Sequence, residues 1–185
     1  MPVSSTEARQ GTLEQAGGRW RLRFVRTLPH RREKVWRALT EPAHLAAWFP
    51  ADIEGERAAG ARLRFVFRNG EGPPGEGEMV AFDPPSVLEL RWGDELLRFE
   101  LEPVGDDAAE GCVLTLLDTF DELGKAARDA AGWHTCLDLL AIHLAGEEPR
   151  WDQMERWAQV HPGYVERLGP EASTIGPPEA PAAAG

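Results

Sequence analysis

The chain is poor in cysteine, has no long apolar run and carries no excess of positive charge, and each shortage removes a class of protein. Only two of its 185 residues are cysteines, Cys112 and Cys136, and they fall in segments that read as a buried strand and a helix, with no CxxC. A disulfide framework is therefore not what organises the fold. The opening MPVSSTEARQGTLEQ places no apolar stretch behind a basic start, so it does not read as a secretory leader. No segment approaches the roughly 18 to 20 apolar residues of a membrane span, and the expected location is cytoplasmic. With a formal charge of −11 the surface as a whole repels nucleic acid. Residues 1–40 run the other way, with nine Arg or Lys against three Glu. Those bases lie mostly in an alternating strand and an amphipathic helix, as a solvated face requires, so no nucleic-acid partner is expected.

Metal and cofactor chemistry is as sparsely provided. His30, His44, His134, His143 and His161 are scattered and no HExxH occurs. His134 and His143, nine residues apart on one helix, point in opposite directions and cannot share a metal. The segment GEGPPG at 70–75 spells GxGxxG, but two prolines occupy the loop and a strand follows it. A dinucleotide fingerprint needs a helix there, so a hairpin lip is expected and no cofactor.

What is present is the material of one globular domain: 42% hydrophobic and 28% charged residues, enough apolar side chain for a core and enough charge to solvate its outside. No internal repeat appears. Residues 1–10 and 169–185 carry no periodic apolar face and are expected to be disordered. Between them the hydrophobic period changes from two to 3.6 and back. RWRLRFV at 19–25 alternates Trp20, Leu22 and Phe24 against Arg19, Arg21 and Arg23, which reads as a half-buried strand preceded by a short one at 11–15. Val35, Trp36 and Leu39 mark a helix. Thr40 is placed to cap a second short one from Glu41 and Pro42, with Leu45, Trp48 and Phe49 on its apolar side. Four alternating runs follow, around Leu63–Phe67, Glu78–Phe82, Val87–Trp92 and Leu96–Glu102, the first ending in an Asn69-Gly70 turn. Short connections make this an antiparallel meander. After a last strand, Val113–Phe120, the stripe Ala126, Ala130, Trp133, Leu137, Leu140, Leu144 predicts a long helix facing the core. A helical extension over 149–168 carries Trp151, Met154, Trp157, Tyr164 and Leu168, with Pro162 and Gly163 expected to kink or divide it. The result is an α+β domain over 11–148 in which a curved antiparallel sheet wraps a long helix.

This order of elements resembles the helix-grip fold of the SRPBCC superfamily, which includes START domains and birch-pollen allergens. KVWRALTEPAHLAAWF at 34–49, DELLRFELEP at 94–103 and LTLLDTF at 114–120 followed by AGWHTCLDLL at 131–140 resemble the branch related to the C-terminal domain of the activator of the heat-shock protein 90 ATPase. The resemblance implies that the two short helices close a cavity between sheet and long helix. Trp48, Phe67, Trp133 and Leu137 are the expected lining of an apolar ligand site.

Three functional readings remain open on the sequence. The first is a non-catalytic binder of a hydrophobic small molecule. The second is a cyclase-, dehydratase- or hydrolase-type enzyme. Asp118 shares the inward parity of Leu114, Leu116 and Phe120, and His134 and Asp138 share a helix face, which makes Asp118 and His134 the catalytic candidates. No nucleophile stands out: Cys136 sits on an apolar helix face, and Ser86 and Thr119 have no visible base. The third, a chaperone-regulating interaction, comes from the family name alone. The oligomeric state is not legible.

Overall fold

The structure, a computed structural model, describes residues 9–68, 70, 72–105 and 111–177. The expected Asn69-Gly70 turn and the GEGPPG loop therefore fall partly outside the described residues, as do most of residues 1–10 and 178–185.

Eight strands form one antiparallel sheet: β1 (Thr12–Ala16), β2 (Arg19–Leu28), β3 (Ala51–Glu54), β4 (Arg62–Phe67), β5 (Gly75–Asp83), β6 (Val87–Trp92), β7 (Glu95–Pro103) and β8 (Cys112–Phe120). Their spatial order is β1-β2-β8-β7-β6-β5-β4-β3. β4 to β8 are the meander, and β2 inserts beside β8 through a nine-pair ladder from Trp20↔Phe120 to Leu28↔Cys112. The sheet is curved and unclosed. A register shift in β5 between Met79 and Ala81 is the kind of irregularity that bends and twists a strand. Close approach adds to this: a Cβ on Gly77 would lie 2.6 Å from the Phe65 ring, which stacks on Trp92 with centroids 4.5 Å apart. Only glycine leaves that stack its space on β5.

Four helices complete the domain: α1 (Arg32–Thr40), α2 (Pro42–Leu45), α3 (Ala126–Leu144) and α4 (Gln153–Leu168). α1 and α2 join β2 to β3. Arg68, just past β4, donates to the carbonyls of Leu45 and Ala51, both at 3.1 Å, and so fixes the chain between α2 and β3. Thr40 does not cap α2. It is the last residue of α1, and its hydroxyl donates back to the Trp36 carbonyl at 2.8 Å, a common alternative for a helical threonine. α2 is also shorter than its apolar spacing suggests, since Trp48 and Phe49 lie in the turn that follows and are buried there.

Every residue of the expected stripe on α3 is buried, but so is most of the rest of the helix: residues 133–140 have no exposed member. The sheet covers one side and α4 packs on another. α4 is a single helix with Pro162 inside it, so of the expected kink or division the division does not occur. Pro162, Gly163 and Ala158 are all exposed, so the backbone carbonyl that a proline leaves without a donor can be met by water. Asp152 starts the helix, accepting from the Met154 and Glu155 amides at 2.9 and 3.3 Å. Order continues beyond the expected end of the domain: Pro170–Ser173 form a 3-10 turn, Ala172 is buried, and the Ile175 amide donates to the Gly124 carbonyl at 3.0 Å.

Leu140→Ala should lower stability by about 2 to 5 kcal/mol, since the side chain is buried between sheet and helix and a cavity would remain. A urea denaturation midpoint unchanged by the substitution would contradict this packing.

Candidate functional site

The enclosed helix α3 divides the candidate residues between two environments, because neighbouring residues on a helix point about 100° apart. Trp133 turns toward the sheet, where its indole N–H donates to Asp118 Oδ2 at 2.9 Å. His134 turns toward α4, where its Nδ1 lies 2.8 Å from the Tyr164 hydroxyl. The structure therefore does not bring Asp118 and His134 together as an acid–base pair.

On the sheet side the space is filled by rings. Trp48 is 2% exposed, donates from Nε1 to the Ala38 carbonyl at 2.9 Å and packs edge-on against Phe49 and Phe99. Phe49 in turn contacts Trp92 and Trp133, each with centroids 5.8 Å apart, and Phe67 leans on Trp92 at the same distance. Three of the four expected lining residues, Trp48, Phe67 and Trp133, thus belong to an aromatic cluster packed by its own side chains.

Asp118 follows the parity read from the sequence and is 0% exposed, near the C-terminal end of β8 between Leu22 on β2 and Leu97 on β7. Burial pushes its carboxyl well above the usual 3.8, and the nearby carboxylates of Glu95 and Asp129 push the same way. The Trp133 hydrogen bond and the Lys125 charge oppose the shift. Lys125 is occupied by an ion pair with Glu95 and lies 3.6 Å from Asp129. Oδ1 of Asp118 has no partner among the described residues. A carboxyl held this way favours the neutral form and serves as an acceptor for the helix through Trp133.

On the other side of α3 lies a buried polar network that the sequence reading did not assemble. The chain's only tyrosine, Tyr164, is 2% exposed on α4. Its oxygen accepts from the Gly11 amide at 3.0 Å, which leaves the hydroxyl hydrogen to donate to Nδ1 of His134. Gly11 suits this position because a Cβ there would come within 2.4 Å of the Phe24 ring. His134 then carries its proton on Nε2, 3.6 Å from Asp138 Oδ2. Burial holds the imidazole down at about 4, with Asp138 opposing and Arg26, Arg156 and Arg9 adding to the depression. It is neutral at neutral pH. Because the unfolded imidazole takes up a proton first, the stability linked to His134 is present above its ordinary 6.5 and is lost as pH falls toward 4.

Asp138 Oδ2 accepts both Nε and Nη2 of Arg156 at 3.1 and 2.8 Å. Its other oxygen lies 3.7 Å from Nη2 of Arg26. Arg26 stands at the inward parity of β2, in line with Leu22, Phe24 and Leu28, and is 6% exposed. That parity was visible in the sequence: a basic residue at the position where the alternation calls for an apolar one. Beside it is a cavity of about 310 Å³ between β2 and α3, bordered by Val25, Arg26, Leu28, Leu137, Asp138 and Ala141, with Arg9 and Thr27 also in its lining. It opens where β1 has ended, since β1 pairs β2 only over residues 19–23. Leu137, the fourth expected lining residue, borders this space and not the aromatic cluster. Two of the histidines outside the network meet elsewhere: His44 Nδ1 lies 2.8 Å from His143 Nε2, joining α2 to the end of α3. No cluster of three or more potential metal ligands occurs among the described residues.

A curved, unclosed antiparallel sheet gripping a long helix, with two short helices between the second and third strands, defines the helix-grip class of α+β domains. The chain belongs to the family described as Activator of Hsp90 ATPase homolog 1-like protein, whose profile matches residues 29–145. Among solved structures, a conserved protein of unknown function, EF2215 from Enterococcus faecalis, is similar with a TM-score of 0.71 at 20% identity, over 88% of this chain and 92% of that one. The crystal structure of CalU16 from Micromonospora echinospora aligns with a TM-score of 0.66 at 18% identity, over 86% and 96%. The protein encoded by gene BPP1335 of Bordetella parapertussis aligns with a TM-score of 0.63 at 27% identity, over 85% and 90%. None of the curated proteins matches the chain. No helix among the described residues is long and apolar enough to cross a membrane.

Asp118→Asn should make the protein more stable than the parent at alkaline pH and nearly equal to it near pH 4. The raised carboxyl stays protonated in the fold where the unfolded chain has lost its proton, so the parent loses up to about 1.4 kcal/mol per pH unit in that window. A stability difference independent of pH between 4 and 8 would contradict the buried, neutral carboxyl. Tyr164→Phe should cost about 1 to 3 kcal/mol in denaturant titration, because the buried Gly11 amide loses its acceptor. An unaltered midpoint would show that this contact carries no stability.

Proposed function

We propose that the protein is a cytoplasmic, non-catalytic binding module for a hydrophobic small molecule, seated between β2 and α3. The observation that carries this reading is the cavity of about 310 Å³ in which Val25, Leu28, Leu137 and Ala141 supply apolar wall. Its volume is at the lower end of the range of small-molecule sites, and a mainly apolar wall with a few polar groups is their usual make-up. Membership of a fold that commonly encloses hydrophobic ligands supports the same reading. The separation of Asp118 and His134 supports binding over acid–base turnover. Both cysteines are free and buried, in keeping with a reducing compartment. A docking role toward a chaperone finds less support. The large apolar side chains exposed among the described residues are two, Val104 just after β7 and Met154 on α4, too few for an extended apolar patch.

Medium-chain aliphatic and single-ring aromatic compounds should bind saturably with one-to-one stoichiometry, as read by native mass spectrometry and calorimetry. Ala141→Phe should fill the cavity and weaken that binding by about tenfold or more while the melting temperature is kept, since the position is half-buried at the cavity wall. Undiminished binding to the filled variant would move the ligand elsewhere in the molecule.

A further inference from the structure

Arg26 is the least satisfied charged group in the described structure. A guanidinium has five N–H donors and remains protonated in proteins. Among the described residues none of its three nitrogens, Nε, Nη1 or Nη2, has a hydrogen-bond acceptor. The Asp138 carboxylate is the nearest candidate, but its Oδ1 stands 3.7 Å from Nη2, beyond hydrogen-bond reach, and its Oδ2 is taken by Arg156. Buried polar groups are almost always paired, and a buried charge without an acceptor is costly. This one borders the cavity described above.

The local charge points the same way. Arg9, Arg26 and Arg156 all act on His134, and Asp138 is the carboxylate that acts with them. His134 is neutral, so three guanidiniums face one carboxylate, a local surplus of positive charge inside a chain of net charge −11. Such a surplus against low-dielectric walls favours an anion at this point. The planar fork of an arginine matches the two oxygens of a carboxylate, and hydrogen bonds to a charged acceptor are about twice as strong as neutral ones.

We infer that the ligand of this cavity is an amphiphilic carboxylic acid, whose carboxylate is received by Arg26 and whose hydrocarbon body lies along Val25, Leu28, Leu137 and Ala141. This inference rests on the binding function proposed above and adds the ligand's charge to it. Arg26 and Arg9 both border the cavity between β2 and α3, so both guanidiniums can approach a bound anion. The apolar wall demands that the acid carry a chain or ring, because a small free anion would leave that surface without a partner.

Calorimetric titration of the full chain with decanoate and with decanol separates the two claims, since the probes share one hydrocarbon body and differ in charge. Decanoate should bind about tenfold or more tightly than decanol. In Arg26→Gln the decanoate affinity should fall to that of decanol, with decanol unchanged, and Arg26→Lys should recover part of the difference because it restores the charge without the fork. Arg26 makes no hydrogen bond within the described structure, so both variants should fold, and their melting temperatures check it. Equal affinity of the parent chain for decanol and decanoate would overturn the carboxylate site while leaving the binding module intact, and it needs no variant to be seen. If neither compound binds, the binding function itself fails.

Discussion

The structure depends on one constraint: α3 is buried on nearly every side, so each of its polar side chains must find a partner inside the protein. A helix that rests on a sheet can turn its polar residues to water, but residues 133–140 have no such side. Unpaired buried polar groups cost about as much as a core truncation, and the sheet and α4 supply what the helix needs. Asp118 on β8 accepts from Trp133, and Tyr164 on α4 donates to His134. Asp138 on α3 itself holds Arg156 of α4. The extension after Leu144 is thus part of the domain's polar accounting as well as its apolar cover.

The same constraint decides where an opening can exist. The aromatic rings that the helix meets on the sheet side fill the middle of the grip, with Trp48, Trp92 and Trp133 each in contact with Phe49. Space is left instead at the β2 edge, where β1 has already ended and α3 presents Leu137, Asp138 and Ala141. A guanidinium held there by strand parity gives the opening a charge preference that a purely aromatic cavity would lack.

Much of this architecture could be read from the chain. The inward face of β8, with Cys112, Leu114, Leu116, Asp118 and Phe120 all buried, follows the apolar parity of its sequence. Asp118 was found because its parity contradicts its chemistry. Arg26 carries the same contradiction on β2, but it lies past the most regular part of the alternation and its strand was read as ending at Val25. β3 was missed because four residues with two apolar side chains give too short a period to register. Pro162 argues for a break that exposure on the outer face of α4 makes unnecessary.

What the sequence determined by itself is therefore the class of domain and, β3 apart, the order of its elements and the inward face of most of them, because hydrophobic period and turn chemistry are local properties of the chain. It could not determine which inward residues meet. Trp133 and His134 are adjacent in sequence and part company in space, and Tyr164 brings Gly11, from the other end of the chain, and His134 to one oxygen. Whether rings converge on a cavity or fill it is a matter of volumes and approach between strands far apart in sequence. Only the packed tertiary structure decides that, and here it places the space beside Arg26 instead of beneath Trp48.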